Sequence, residues 1–117
     1  CRDSGVSVTV CSHTSNFDRI PRRRASIGRM NEAGLRLTLN TDDPAMFGTD
    51  VGDAYVSIFR DLGWQPDMAR RLCLTAVDAC WLDDTDKRAL RHAFQTEIDA
   101  LMEEGLDSAG RRGRGDP

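Results

Sequence analysis

The sequence predicts an α/β fold that forms the final part of a larger (β/α) barrel. Two short runs with the alternating pattern of β-strands lie within the first forty residues, and a series of helical patterns follows them. Two parallel strands do not form a stable sheet without neighbours, because parallel sheets need more strands and covered faces. We therefore expect the chain, which begins with Cys1 rather than methionine, to be a piece of a longer protein.

The first part of the chain has the order strand, helix, strand. Valines alternate with polar residues over 6–11, which is the period of a strand. Residues 22–33 carry apolar side chains at helical spacing, and Gly34 gives this helix a natural end. Leucines then alternate with polar residues over 35–40. The connection is long enough for the crossover that joins parallel strands.

The rest of the chain predicts three helices. The first carries an apolar stripe and ends at Gly63, and the second begins at Pro66. The last is capped by Asp84 or Thr85 and ends at Gly105. The apolar faces of these helices contain, in order, Tyr55, Ile58, Phe59 and Leu62; Ala69, Leu72, Cys73, Ala76, Val77 and Cys80; and Leu90, Phe94, Ile98 and Leu101. Residues 1–105 would form the barrel portion, and 106–117 a polar, glycine-rich, disordered tail.

Composition excludes several classes of protein. The 117 residues are 39% hydrophobic and 30% charged, with a net charge of −3, which is typical of a soluble domain and unlike a nucleic-acid-binding protein. No apolar run of about 18 residues predicts a membrane span, and no signal peptide is visible. The four cysteines have no CxxC spacing, which argues against a zinc knuckle and favours free thiols. We expect a cytoplasmic protein.

The strands carry two polar rows that end in an acidic pair. Alternate residues of each strand are aliphatic, and the residues between them are polar. This alternation fits a barrel whose interior contains an active site. Asp42 and Asp43 follow the second strand, before Pro44, at the end where barrel enzymes carry their catalytic residues. Adjacent carboxylates are costly to bury unless a cation, a proton or a donor meets them. Without further context, a helix cap or turn would be the commoner role of such a pair.

Two stretches, VTVCSHTSN and TLNTDDPAMFGTD, closely resemble the end of the adenosine deaminase family of zinc amidohydrolases, and the similarity covers residues 6–102. This resemblance implies a (β/α)8 TIM barrel, of which the chain would supply the last two parallel strands and the closing helices. It implies that Asp42 binds zinc, one ion per complete enzyme, and acts in catalysis, and that Asp43 contacts the purine at N7. Ser15 and Asn16 would shape the pocket floor. The chain departs from the family where Ser12 and His13 replace the usual proline.

The resemblance also implies what the zinc site does. Bound zinc lowers the pKa of water to about 7, and Asp42 would orient that water toward the purine. Because neutral N7 only accepts hydrogen bonds, we expect the proton of its bond with Asp43 to lie on Asp43. Family members take three zinc-binding histidines and a glutamate from earlier strands. Here His13 and His92 fit no such pattern, so the isolated chain is expected to be inactive.

The resulting functional prediction is a purine deaminase that converts adenosine and water to inosine and ammonia. Adenine or another 6-aminopurine nucleoside is the alternative substrate. An inactive remnant that serves as an interaction module is the alternative of another class. The partner would be the purine, with no nucleic acid or membrane.

The sequence also predicts the placement of four other side chains. We expect three aromatic residues to pack inside the protein: Trp64, Trp81 and Phe47. We expect His92 to lie on the surface.

Overall fold

The computed structural model describes the backbone of residues 1–11 and 21–112, and the side chains of 1–11 and 24–105. The described residues form two strands and five helices. In chain order, these are β1 (Ser7–Cys11), α1 (Pro21–Glu32), β2 (Arg36–Asn40), α2 (Pro44–Phe47), α3 (Val51–Leu62), α4 (Pro66–Ala79) and α5 (Asp84–Arg112). No helix in this part of the chain is long and apolar enough to cross a membrane.

The two strands pair in parallel, as the alternating pattern predicted. Their register runs from Ser7 opposite Arg36 to Cys11 opposite Asn40, so both strands end at the same edge. Helix α1 makes the crossover between them. The α/β class is therefore confirmed.

One face of the strand pair is covered by helices and forms the core. Val10 of β1 and the leucines of β2 are buried there against α1, α3 and α4. Burial of such aliphatic side chains stabilises each by about 1.5–3 kcal/mol. Val6 lies before β1 and is exposed, so the first valine of the pattern does not join this core. The core cluster consists of Val10, Ile27, Leu37, Leu39, Ala54, Ile58 and Leu72.

Helix α3 begins and ends at residues that are suited to those positions. At its start, the Asp50 side chain accepts a hydrogen bond of 2.8 Å from the Asp53 backbone N–H. At its end, Gly63 adopts the left-handed conformation and its N–H bonds the Phe59 carbonyl. The ring of Trp64 meets that of Phe59 edge-on at 5.6 Å, so the prediction that Trp64 packs inside is confirmed.

Helices α4 and α5 pack side by side and are joined by ion pairs. Arg91 bonds Asp78 at 2.6 Å, and Arg70 pairs with Asp99. The first of these pairs is half-buried and the second more exposed. His92 is exposed, as predicted.

Three expectations for this region are wrong. Trp81 is fully exposed, because the turn between α4 and α5 carries it away from the described core. The cap of α5 is Asp83, whose side chain accepts from the Asp86 N–H at 2.9 Å, rather than Asp84 or Thr85. The helix continues through Gly105 to Arg112, because one glycine costs a helix only about 1 kcal/mol. The division into a barrel portion at 1–105 and a disordered tail at 106–117 stays a prediction.

Candidate active site at the strand ends

The candidate site lies where both strands end. Cys11 and Asn40 are the last residues of β1 and β2 and are register partners. They belong to the polar rows of their strands, on the face opposite the helices. A polar row on each of two adjacent parallel strands is the arrangement that the sequence predicted.

Asp42 occupies an unusual backbone position two residues beyond β2. Its φ is +61°, and it is the one described residue other than glycine with a positive φ. Left-handed backbone costs a non-glycine residue about 1–3 kcal/mol and is concentrated at functional sites. Aspartate and asparagine tolerate it better than other residues do. The Asp42 side chain is exposed, and no described residue donates a hydrogen bond to its carboxylate. The turn thus presents a carboxylate that the described fold does not use.

Asp43 precedes helix α2, but its side chain does not cap that helix. The Asp43 backbone carbonyl accepts from the N–H groups of Met46 and Phe47, both at 3.1 Å, and the carboxylate makes no cap bond. Pro44 fixes the first helical position. The pair therefore forms a turn, while both carboxylates remain available for a ligand.

Cys11 joins the site, although no motif in the sequence predicts a role for it. Burial raises the pKa of the Cys11 thiol, and the negative charge of Asp42 raises it further. The second effect requires the Asp42 carboxylate to lie near the Cys11 thiol at the end of β1. The register of the strands is the signal that could have indicated this proximity, because Cys11 and Asn40 are partners.

This proximity predicts how Cys11 reacts. In metal-free protein, the pH midpoint of Cys11 alkylation is expected above the ordinary range for a thiol, since the thiolate is the nucleophile. Asp42→Asn removes one of the two causes and should lower that midpoint. Mass spectrometry of the Cys11 peptide after timed alkylation measures both profiles. An unchanged midpoint in Asp42→Asn would show that the two side chains lie apart.

The described residues of this site could supply only some of the ligands that a metal ion needs. Asp42 offers one exposed carboxylate, an oxygen ligand that zinc accepts. No group of three histidine, cysteine or acidic side chains able to hold a metal occurs among the residues with described side chains. His13, Ser15 and Asn16 lie outside the described residues. The other ligands of any metal held by Asp42 must therefore come from elsewhere.

Comparison with known proteins decides the family. The adenosine deaminase family model matches residues 1–97. The chain belongs to the adenosine deaminase family. The match includes both strands, the turn with Asp42 and Asp43, and helices α1 to α4. The resemblance to this family, which the two motifs indicated, is thus confirmed over most of the chain.

Relatives within the adenosine deaminase family are much longer than this chain. It is 32% identical over 94 residues to adenine deaminase from Rhizobium meliloti. The aligned region covers 79% of this chain and 29% of the relative. It is 42% identical over 81 residues to adenine deaminase from Ectopseudomonas mendocina, which covers 66% of this chain and 25% of the relative. The chain therefore spans less than a third of the length of these relatives.

Solved structures share the fold. A zinc-bound amidohydrolase from Burkholderia ambifaria superposes with a TM-score of 0.78 and 27% identity, over 88% of this chain and 30% of the other. The adenine deaminase of Arthrobacter aurescens superposes with a TM-score of 0.72 and 21% identity, over 84% and 31%, and shows likeness of fold alone. The described elements thus have the arrangement of a segment within larger proteins.

Proposed function

We propose that this chain is the C-terminal portion of a (β/α)8 TIM barrel in a zinc-dependent purine deaminase, and that it supplies the last two strands and the closing helices. Three features support this proposal. The strands are parallel, their aliphatic faces are covered by helices, and their polar rows lie on the opposite face. In a (β/α) barrel, the outer face of each strand is covered by helices and the other face points into the barrel interior.

The observation that carries the proposal is the position of Asp42. A strained backbone holds an exposed carboxylate at the strand ends, beside Cys11, with no described donor to satisfy it. We assign Asp42 as the one metal ligand that this chain contributes, and as the residue that orients the attacking water. Zinc, when bound, supplies water of lowered pKa at neutral pH. The zinc-bound relative of known structure supports this choice of metal.

Asp43 is assigned to the substrate. It lies next to Asp42 and leaves its carboxylate uncommitted to helix α2. A carboxyl group there can hydrogen-bond the purine N7 if it carries the shared proton. Asp43 is exposed among the described residues, so the groups that enclose a bound purine would have to come from the rest of the barrel.

Adenine is the substrate that the relatives favour. Both curated relatives described above are named adenine deaminase, which points to the free base rather than to adenosine. The reaction would then add water at the carbon that bears the 6-amino group of adenine and release that group as ammonia, which leaves a 6-oxopurine. Adenosine remains the second candidate, since the matching family model carries that name.

The test is an assay of the full-length protein that contains this chain. Ammonia release from adenine and from adenosine is measured together with zinc content, and residues 1–117 alone serve as the control. The proposal predicts a zinc-loaded full-length protein with higher kcat/KM for adenine, and no turnover by the short chain. A full-length protein that holds zinc but releases ammonia from neither purine would contradict the proposed reaction. One without zinc would contradict the metal assignment.

A further inference from the structure

Thr38 is a buried polar residue in the middle of β2. It is 6% exposed and is the one buried polar or charged residue in the part of the chain with described side chains. Its hydroxyl donates a hydrogen bond of 2.8 Å to the side-chain Oδ1 of Asn40. Burying a hydroxyl without such a partner would cost about 1–3 kcal/mol. The pair lies on one face because residues two apart on a strand share a side.

This hydrogen bond determines what Asn40 can offer. With Oδ1 accepting from Thr38, the two N–H groups of the carboxamide remain as donors. Asn40 is exposed at the end of β2, and no described residue accepts from these N–H groups. An exposed asparagine would otherwise sample several side-chain rotamers and both amide orientations. The buried Thr38 hydroxyl favours the one orientation that leaves the donors free.

The residues that come shortly after Asn40 in the chain carry hydrogen-bond acceptors for which no described residue supplies a donor. The carboxylates of Asp42 and Asp43 come two and three residues after Asn40, and both are exposed without a described donor. Unused donors and unused acceptors therefore lie within three residues of one another at the end of one strand. Carboxylates that bind metals are commonly oriented by such outer hydrogen bonds.

We propose that Thr38 and Asn40 form a positioning pair, in which the buried Thr38 hydroxyl fixes the Asn40 carboxamide and its N–H groups orient the Asp42 carboxylate for metal binding. The inference rests on the proposed function, because it assigns Asp42 to zinc. Neither residue of the pair touches the reacting atoms. Both act through Asp42.

Zinc affinity of the full-length protein tests the pair without relying on turnover. Competition with a chromophoric chelator gives the zinc Kd of the wild type, Asn40→Ala and Thr38→Val. Loss of an outer-shell partner typically weakens metal affinity about 10–100-fold, and we expect Asn40→Ala to fall in that range. Thr38→Val keeps the shape of the side chain but lacks the donor, so it should weaken zinc binding in the same direction.

Matched variants separate positioning from a general loss of structure. Thr38→Ser keeps the hydroxyl and should restore zinc affinity to near the wild-type value. Thr96→Val makes the same chemical change on exposed α5, where the hydroxyl donates only to the His92 carbonyl at 3.0 Å, and should leave zinc binding unchanged. Because Thr38 acts through Asn40, the double variant Thr38→Val/Asn40→Ala should bind zinc no more weakly than Asn40→Ala alone.

The outcomes are distinct from failure of the proposed function. A wild type that binds zinc and deaminates purines, together with an Asn40→Ala variant of wild-type zinc affinity, overturns the pair and leaves the function standing. Fully additive losses in the double variant overturn the role of Thr38. A wild type that binds no zinc contradicts the function itself.

Discussion

Asp42→Asn in the full-length protein is expected to weaken zinc binding and lower deaminase kcat/KM by more than about 100-fold, beyond the range typical of outer-shell partners. The variant exchanges a charged carboxylate, the proposed zinc ligand, for a neutral amide. Asparagine tolerates the left-handed backbone that Asp42 adopts at φ +61°, so the turn should be preserved. Zinc content after dialysis and ammonia release measure the two effects on one preparation.

The choice of asparagine rather than alanine matters for this experiment. Alanine at a positive φ costs about 1–2 kcal/mol, so Asp42→Ala combines loss of the proposed ligand with strain in the turn. Asp42→Gly removes the carboxylate and also the strain, and should therefore lose zinc, while the thermal stability of the metal-free protein should be kept or raised. Asp67→Asn, an exposed aspartate at the start of α4, is the matched control and should keep full activity. Asp42→Asn with normal zinc content and turnover would refute the ligand assignment.

Ile58→Ala is expected to have the largest effect on stability. Ile58 is 0% exposed and lies in the cluster that joins α3 to the strands. Truncation of a buried isoleucine to alanine costs about 2–5 kcal/mol, because transfer energy is lost and a cavity is left. Urea unfolding of the full-length protein measures this difference in the free energy of unfolding.

A graded series checks that burial is the cause. Ile58→Val removes one methyl(ene) group and should cost about 0.5–1.5 kcal/mol. Arg60→Ala, at an exposed position on the same helix, should change stability by less than about 0.5 kcal/mol. Equal effects of Ile58→Ala and Arg60→Ala would show that α3 does not pack on the strands as described.

Local patterns in the sequence were enough to predict most of the fold. Alternation predicted both strands, and the helical stripe of α3 with Gly63 at its end predicted that helix. These predictions are correct because strands and helices show periods of two and 3.6 residues, and because the end of α3 depends on one glycine with special backbone freedom. Helix α2 was not predicted, because its four residues are too short to show a period.

Features that depend on distant neighbours could not be predicted in this way. Trp81 is apolar and was expected to pack, but its exposure is decided by which elements lie near the turn between α4 and α5. The left-handed backbone of Asp42 and the proximity of its charge to Cys11 depend on how the two strand ends meet. The hydrogen bond from Thr38 to Asn40 depends on rotamers that no periodicity reports.

A crystal structure of the zinc-loaded full-length protein tests the central assignment most directly. We expect an oxygen of the Asp42 carboxylate at about 2.0–2.2 Å from the zinc ion, at the mouth of a closed barrel. A zinc ion held entirely by other residues, with Asp42 turned to solvent or into the helical layer, would contradict this assignment.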